Sequence, residues 1–241
     1  MKKAIIVGSS SGIGKALALE LSGRGYVLGL VARREDKLRE LQQQVPNESH
    51  VMVIDVNDVD SLAPKLRGLI DTLGGVDVVV ISAGVSNVGG ELDFAKEREV
   101  IKTNVMAFTA LVDYCYRYFC EKGGGHIVAI SSVSGVRGRP CMPAYSASKA
   151  FVSNYVEALR GRAGKQKTNV LFTDIRPGYV DTDMLGLMSD VKPFWVCSAE
   201  TAAKGIARAN VRRQKVAYIT PRWGLVALVM KFIPDWINMH F

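Results

Sequence analysis

Tyr145 and Lys149 stand four residues apart in Tyr145-Ser146-Ala147-Ser148-Lys149, a spacing that puts both on one face of a helix and lets them act on one site. A phenol with an ordinary pKa near 10 is a poor proton shuttle at neutral pH. An ammonium close by stabilises its anion, and a shift of roughly 3 units corresponds to about 4 kcal/mol. Alone, Tyr-x-x-x-Lys is also the pattern of any exposed helix pair. Ser132 changes that: it follows the apolar run Ile127-Val128-Ala129-Ile130 and so falls at the carboxyl end of a strand, where open α/β sheets bind ligands. Its hydroxyl is placed to hold a substrate oxygen. Asn104, in Lys102-Thr103-Asn104-Val105-Met106, is a polar residue in a buried helical stretch and needs a hydrogen-bonding reason for its place.

The elements that must position these groups are legible from hydrophobic periodicity. Short runs rich in Val and Ile alternate with longer stretches of helical spacing, which implies βαβ units around a parallel sheet. Strands are expected at Ala4–Val7, Tyr26–Ala32, His50–Ile54, Val76–Ile81, His126–Ser131, Asn169–Ile175 and Val216–Thr220. Their continuous hydrophobicity fits strands covered on both faces. Helices are expected at Gly12–Gly23, Glu35–Gln44, Ser61–Leu73, Ala95–Glu121, Ala144–Arg162 and Ala199–Arg212. The fold class is therefore α/β, a doubly wound parallel sheet of about seven strands in one domain of 241 residues.

The first strand runs into Gly8-Ser9-Ser10-Ser11-Gly12-Ile13-Gly14, and a helix follows. Such a turn presents unpaired amide N–H groups and the positive end of a helix dipole, a site for a pyrophosphate, with glycines permitting close approach. Ser10, Ser11 and Ile13 belong to the same cradle. A dinucleotide fold then reads the adenosine ribose about 20 residues further on. Here that region is Val31-Ala32-Arg33-Arg34: no carboxylate for a free 2′-hydroxyl, two guanidiniums for a 2′-phosphate. NADP(H) is expected over NAD(H).

Composition agrees with a packed enzyme. Residues A, V, I, L, M, F, W, Y and C make up 48% of the chain and charged residues 22%, which excludes disorder and fibrous repeats. The net charge of +8 favours an anionic ligand without naming it. Cys115, Cys120, Cys141 and Cys197 form no Cys-x-x-Cys pair, and with three histidines no metal site is expected. The amino-terminal apolar run breaks at Gly8, too short for a signal peptide, so a cytoplasmic location is expected. Arg208, Arg212, Arg213 and Lys215 raise the question of nucleic acid, but a helix end with favourable dipole charge explains them, and no nucleic-acid partner is expected.

With these residues in place, the sequence resembles the short-chain dehydrogenase/reductase family from Lys3 to about Thr220. The family's Gly-x-x-x-Gly-x-Gly loop matches Gly8, Gly12 and Gly14. Its active-site tetrad matches Asn104, Ser132, Tyr145 and Lys149, and the spacing from Ser132 to Tyr145 selects Ser132 over Ser131. The resemblance implies that Asp55 and Val56 meet the adenine ring and that Ala83 and Gly84 line the cofactor groove. It further implies that Pro177, Gly178, Val180 and Thr182 hold the nicotinamide carboxamide, and that Arg33 reads the phosphate. Lys149 is expected to bind the nicotinamide ribose and lower the Tyr145 pKa, and Asn104 to anchor a water connecting Lys149 to solvent. Three departures stand out: Val7 where Thr is usual, Ser82-Ala83-Gly84 where Asn-Ala-Gly is usual, and Ser11 where many NADP users carry a basic residue, leaving selectivity to Arg33 and Arg34 with Lys15 a distant helper.

The activity implied is hydride transfer between nicotinamide and a carbonyl or alcohol, in the direction of carbonyl reduction. Met184, Leu185, Leu187, Met188, Phe194 and Trp195, in a variable segment near 183–198, read as an apolar lid over an apolar ketone or aldehyde. An apolar extension near 221–241 serves a subunit interface, the substrate cleft or a peripheral membrane contact. A homodimer or homotetramer is expected. Two competing readings are a sugar-nucleotide epimerase or dehydratase, opposed by loop spacing and chain length, and a non-catalytic NADP-binding regulatory protein, opposed by the intact tetrad.

Overall fold

A computed structural model describes residues 1–87, 91–186, 193–234 and 236. The strands are β1 (Lys3–Val7), β2 (Val27–Ala32), β3 (Ser49–Val53), β4 (Val78–Ile81), β5 (Gly125–Ile130), β6 (Val170–Pro177), β7 (Val180–Asp181), β8 (Cys197–Ser198) and β9 (Val216–Ile219). The helices are α1 (Gly12–Gly23), α2 (Glu35–Gln44), α3 (Val59–Leu73), α4 (Phe94–Ile101), α5 (Phe108–Lys122), α6 (Pro143–Lys165), α7 (Asp183–Gly186), α8 (Ala199–Val211) and α9 (Arg222–Phe232).

Seven strands form one parallel sheet in the order β3-β2-β1-β4-β5-β6-β9, and β7 pairs with β8 in a separate short ribbon. Every residue of β2 and β4 is buried, as continuous apolar runs require when helices cover both faces. Along β1, Ile5 and Val7 face one layer with Leu66, Leu69, Leu111 and Val152, while Ala4 and Ile6 face the other with Leu17, Leu21, Leu38 and Ile206. The period-2 alternation of a strand thus divides one apolar run between two cores. The strand order reverses between β1 and β4, so a crevice opens at their carboxyl ends. There the Val7 carbonyl accepts from the amides of both Ser82 and Ala83, each at 2.8 Å, which fixes the crevice wall.

The expected architecture is present, with two adjustments. Tyr26 and Val76 lie outside the strands they were expected to begin, since β2 starts at Val27 and β4 at Val78. The helix expected over Ala95–Glu121 is instead α4 and α5 joined by a π-helical segment, Lys102–Ala107. A π segment widens the helix locally and re-aims its side chains, and such segments gather at functional sites; Thr103 and Asn104 lie in this one, both buried. Of the expected lid, Leu187 and Met188 fall outside the described residues, as do 189–192; of the extension, so do 235 and 237–241. Among the described residues no helix is long and apolar enough to cross a membrane.

Candidate active site

The loop from Gly8 to Ile13 closes the crevice on one side. Gly8 sits at φ +90°, and a Cβ there would come within 2.5 Å of the Ala83 amide nitrogen, so only glycine lets the loop lie on the β4 end. Gly8→Ala is therefore expected to lower stability by about 1–3 kcal/mol and weaken dinucleotide binding together, read by thermal melting and fluorescence titration. Gly12, at φ +52°, opens α1. Gly14 does a different job from its neighbours: a Cβ there would lie 2.0 Å from the Gly8 carbonyl oxygen, so it allows α1 to pack on the loop and does not line the cavity.

A cavity of about 740 Å³ runs from this loop to the tetrad and beyond. Gly8, Ser10, Ser11, Gly12, Ile13, Arg33, Arg34, Val56, Ala83, Gly84, Ser132, Tyr145, Lys149, Pro177, Gly178, Val180 and Thr182 all line it. Asp55 does not. Its carboxylate turns back to accept from the Asn57 amide at 2.9 Å, and Asn57 takes its place at the wall beside Val56. Lys15 likewise stays off the cavity, one helical step past the loop.

The first turn of α1 carries no acidic residue, and Ser11 makes no side-chain cap, so the amides there are left for an external anion. Arg34 donates from Nη2 to Ser10 Oγ at 3.1 Å and to Ser11 Oγ at 3.0 Å, tying the end of β2 to the loop. Arg33 has no hydrogen-bond or ion-pair partner among the described residues, and its guanidinium stands exposed at the cavity. These observations fit a phosphorylated dinucleotide.

At the other end the tetrad residues converge. Asn104 Oδ1 accepts from the Val85 amide at 2.9 Å, and its Nδ2 donates to the Val85 carbonyl at 2.8 Å and to Ser148 Oγ at 3.0 Å. Its side chain thus clamps the chain after β4 to α6. Ser132 begins the 3₁₀ turn Val133–Gly135, and its Oγ accepts from the Ser134 amide at 3.1 Å. A Cβ on Gly135 would come within 2.6 Å of the Lys149 backbone, so that turn lies directly on α6. The Ser132 hydroxyl and the Tyr145 phenol both line the cavity, and Ser132 acts to lower the phenol's pKa.

Lys149 Nζ donates to the Ile130 carbonyl at 2.9 Å and lies 5.7 Å from the centroid of the Tyr145 ring. Gly84 packs closely against it: a Cβ there would stand 3.3 Å from Nζ and 3.2 Å from Asn104 Oδ1, tighter than ordinary contact. Burial pushes the Lys149 ammonium down to about 8, against the pull of Asp174. Desolvation holds Tyr145 above the ordinary phenol range, with Ser132 acting the other way. Burial is thus the largest influence on the phenol, and the Lys149 ammonium donates to the Ile130 carbonyl without losing its charge.

The profile described as short chain dehydrogenase matches residues 2–192. The chain belongs to that family. An uncharacterized oxidoreductase of Mycobacterium tuberculosis is 32% identical over 251 residues, covering 100% of this chain and 97% of the relative. A short-chain alcohol dehydrogenase of Sinorhizobium meliloti, so described provisionally, has a TM-score of 0.72 at 28% identity, over 78% of this chain and 77% of that one. ElxO, solved with NADP bound, shares the fold with a TM-score of 0.80 at 24% identity, over 90% of this chain and 96% of that one. As a short-chain dehydrogenase the protein is an oxidoreductase of the class that acts on CH–OH and C=O groups with NAD(P).

The apolar extension of this short-chain dehydrogenase, expected at a subunit interface, the substrate cleft or a membrane, places Trp223, Val226, Met230 and Ile233 in the cavity wall together with Tyr179, Met184 and Phe194. One feature escaped the sequence reading, a buried ionic group behind the tetrad. Asp174 is fully buried, accepts from Arg176 Nε at 2.7 Å and receives the Ser131 hydroxyl; Arg176 also donates to Tyr218 OH at 3.1 Å. The i, i+2 spacing of Asp174 and Arg176 on β6 was the available local signal, while Ser131 comes from the end of β5 and Tyr218, the second partner of Arg176, from β9.

Proposed function

We propose that the protein is an NADP(H)-dependent reductase of apolar ketones or aldehydes, with Asn104, Ser132, Tyr145 and Lys149 as its active-site residues. The carrying observation is one continuous cavity with a polar, guanidinium-lined end and an apolar end, and Ser132, Tyr145 and Lys149 between them. Bound along the polar end, the nicotinamide supplies or accepts a hydride at its C4. Everything else falls to the chain. Arg33 pairs with a ribose phosphate, and the α1 amides with the pyrophosphate. Ser132 holds the substrate oxygen in place against Tyr145.

Because burial keeps the phenol protonated at neutral pH, Tyr145 is poised to give its proton to that oxygen, which favours reduction. Lys149, held by the Ile130 carbonyl at the cavity wall, would bind the ribose hydroxyls and set the charge beside Tyr145. Its charge is present below about pH 8 and lost above it. The apolar wall of α9, with Phe194 and Met184, selects the substrate by excluding water from the carbonyl.

The test is a panel of carbonyls offered with NADPH and with NADH, followed by nicotinamide absorbance. Arg33→Ala is expected to weaken NADPH by about 10- to 100-fold, the worth of a charge-assisted pair, and NADH by less than about twofold. Equal losses for both cofactors would assign the phosphate to another residue. A small-molecule carbonyl is the expected partner, and turnover confined to polar sugars would refute the apolar substrate class.

A further inference from the structure

The outer face of α9 carries a second apolar stripe. Leu225 is 67% exposed, Leu228 56%, Val229 53% and Phe232 73%, and Trp236 just beyond is 66% exposed. Leu225, Leu228, Val229 and Phe232 follow i, i+3, i+4 and i+7, one side of a helix whose other side lines the cavity, and Trp236 lies past the extended Ile233 that ends it. An α9 apolar all round needs cover on both sides. Leu225 and Val229 belong to both surfaces, as does Phe194, so the cavity opens within the exposed apolar face.

The opposite lip is built from the same material. Phe194 stacks on Trp223 at 5.1 Å and on Trp195 at 5.3 Å, and Trp195 is itself exposed. The charges that accompany this face are mainly basic. Arg222 lies over the Trp195 ring at 4.9 Å, Lys231 stands exposed near the far end of α9 and Arg137 donates to the Met230 carbonyl at 3.4 Å, against an exposed Asp183 at the cavity and Asp235 beside Trp236 in the sequence. The whole chain adds a net +8.

We propose that this face docks on a membrane surface bearing anionic headgroups, with α9 in the plane of the interface, and that the apolar substrate passes from the lipid through the Leu225–Val229–Phe194 mouth. Apolar side chains entering the acyl boundary, aromatic rings at headgroup level and flanking cations are the features of an interfacial helix. The excess of basic over acidic residues around the face, in a chain of net charge +8, is what favours an anionic bilayer over a second, equally basic copy of the chain. The entry route for substrate rests on the reductase reading, while the docking does not.

The experiment uses the full chain with sedimented vesicles of phosphatidylcholine, alone and mixed with phosphatidylglycerol. Binding to the mixed vesicles is expected, with a blue shift of tryptophan emission, weakened by added salt and weaker still on the neutral vesicles. The double variant Leu228→Glu with Phe232→Glu, neither of which lines the cavity, is expected to lose vesicle binding about tenfold or more. It should keep wild-type turnover of a short water-soluble ketone. Absence of vesicle binding by the wild type, or equal binding by the variant, overturns the proposal. So does light scattering that shows a dimer dissociated by the variant, which would assign the face to a second copy. Vesicle binding without any carbonyl turnover would uphold the docking and sink the reductase reading.

Discussion

Tyr145→Phe is expected to lower kcat by about 10²- to 10⁴-fold, the usual worth of a positioned proton donor, while NADPH binding stays within about twofold of the wild type. The ring is retained, so the cavity wall keeps its shape; the one group lost is the hydroxyl whose pKa Ser132 lowers. Ser132 would still hold the substrate oxygen but would have no phenol to pass a proton through. The result that would refute the assignment is a variant keeping more than about a tenth of wild-type kcat, because a mere packing role for the phenol predicts losses of that size or smaller. Fluorescence titration with NADPH separates failed chemistry from failed binding.

The second large effect concerns Asp174. Removing one partner of a buried ion pair leaves the other charge without compensation, at a cost of about 3–5 kcal/mol. Asp174→Ala takes the carboxylate from Arg176 and from the Ser131 hydroxyl, leaving them only Tyr218 OH and the Ile175 carbonyl, and for a chain of this size the melting temperature should drop by roughly 10 °C. Asp174→Asn keeps an acceptor for Ser131 and is the gentler probe. Burial already holds Lys149 down to about 8, and the Asp174 charge works upward against it. Without that charge the Lys149 value falls further, so the alkaline limb of kcat against pH moves to lower pH. A variant that melts normally and keeps its alkaline limb in place would deny Asp174 both roles.

The parallel sheet and its helices were readable because each buried strand is a short unbroken apolar run, which few other structures tolerate. Strand ends were less so: Tyr26 is buried like a strand residue yet precedes β2, and burial alone does not distinguish the two. The glycine loop and the positions of Ser132, Tyr145 and Lys149 were legible because local spacing carries their geometry. Asp55 was not, since a side chain that turns to bond the amide two residues on leaves no trace in composition. Nor was the π segment around Asn104, where one clamp to Val85 and Ser148 outweighs regular helical bonding. The α9 wall lies far along the chain from the groove it completes, and only the fold brings Trp223 over Gly178, where a Cβ would meet the indole at 2.0 Å.

That α9 follows every strand of the sheet separates the two halves of the cavity in the order of synthesis. The half lined by the glycine loop and Arg33 hangs on β1, β2 and β4, whose register any change would upset. The apolar wall hangs on a helix attached after β9, so on the proposed reading it can be exchanged and the substrate preference altered while Tyr145 and its surroundings stay as they are.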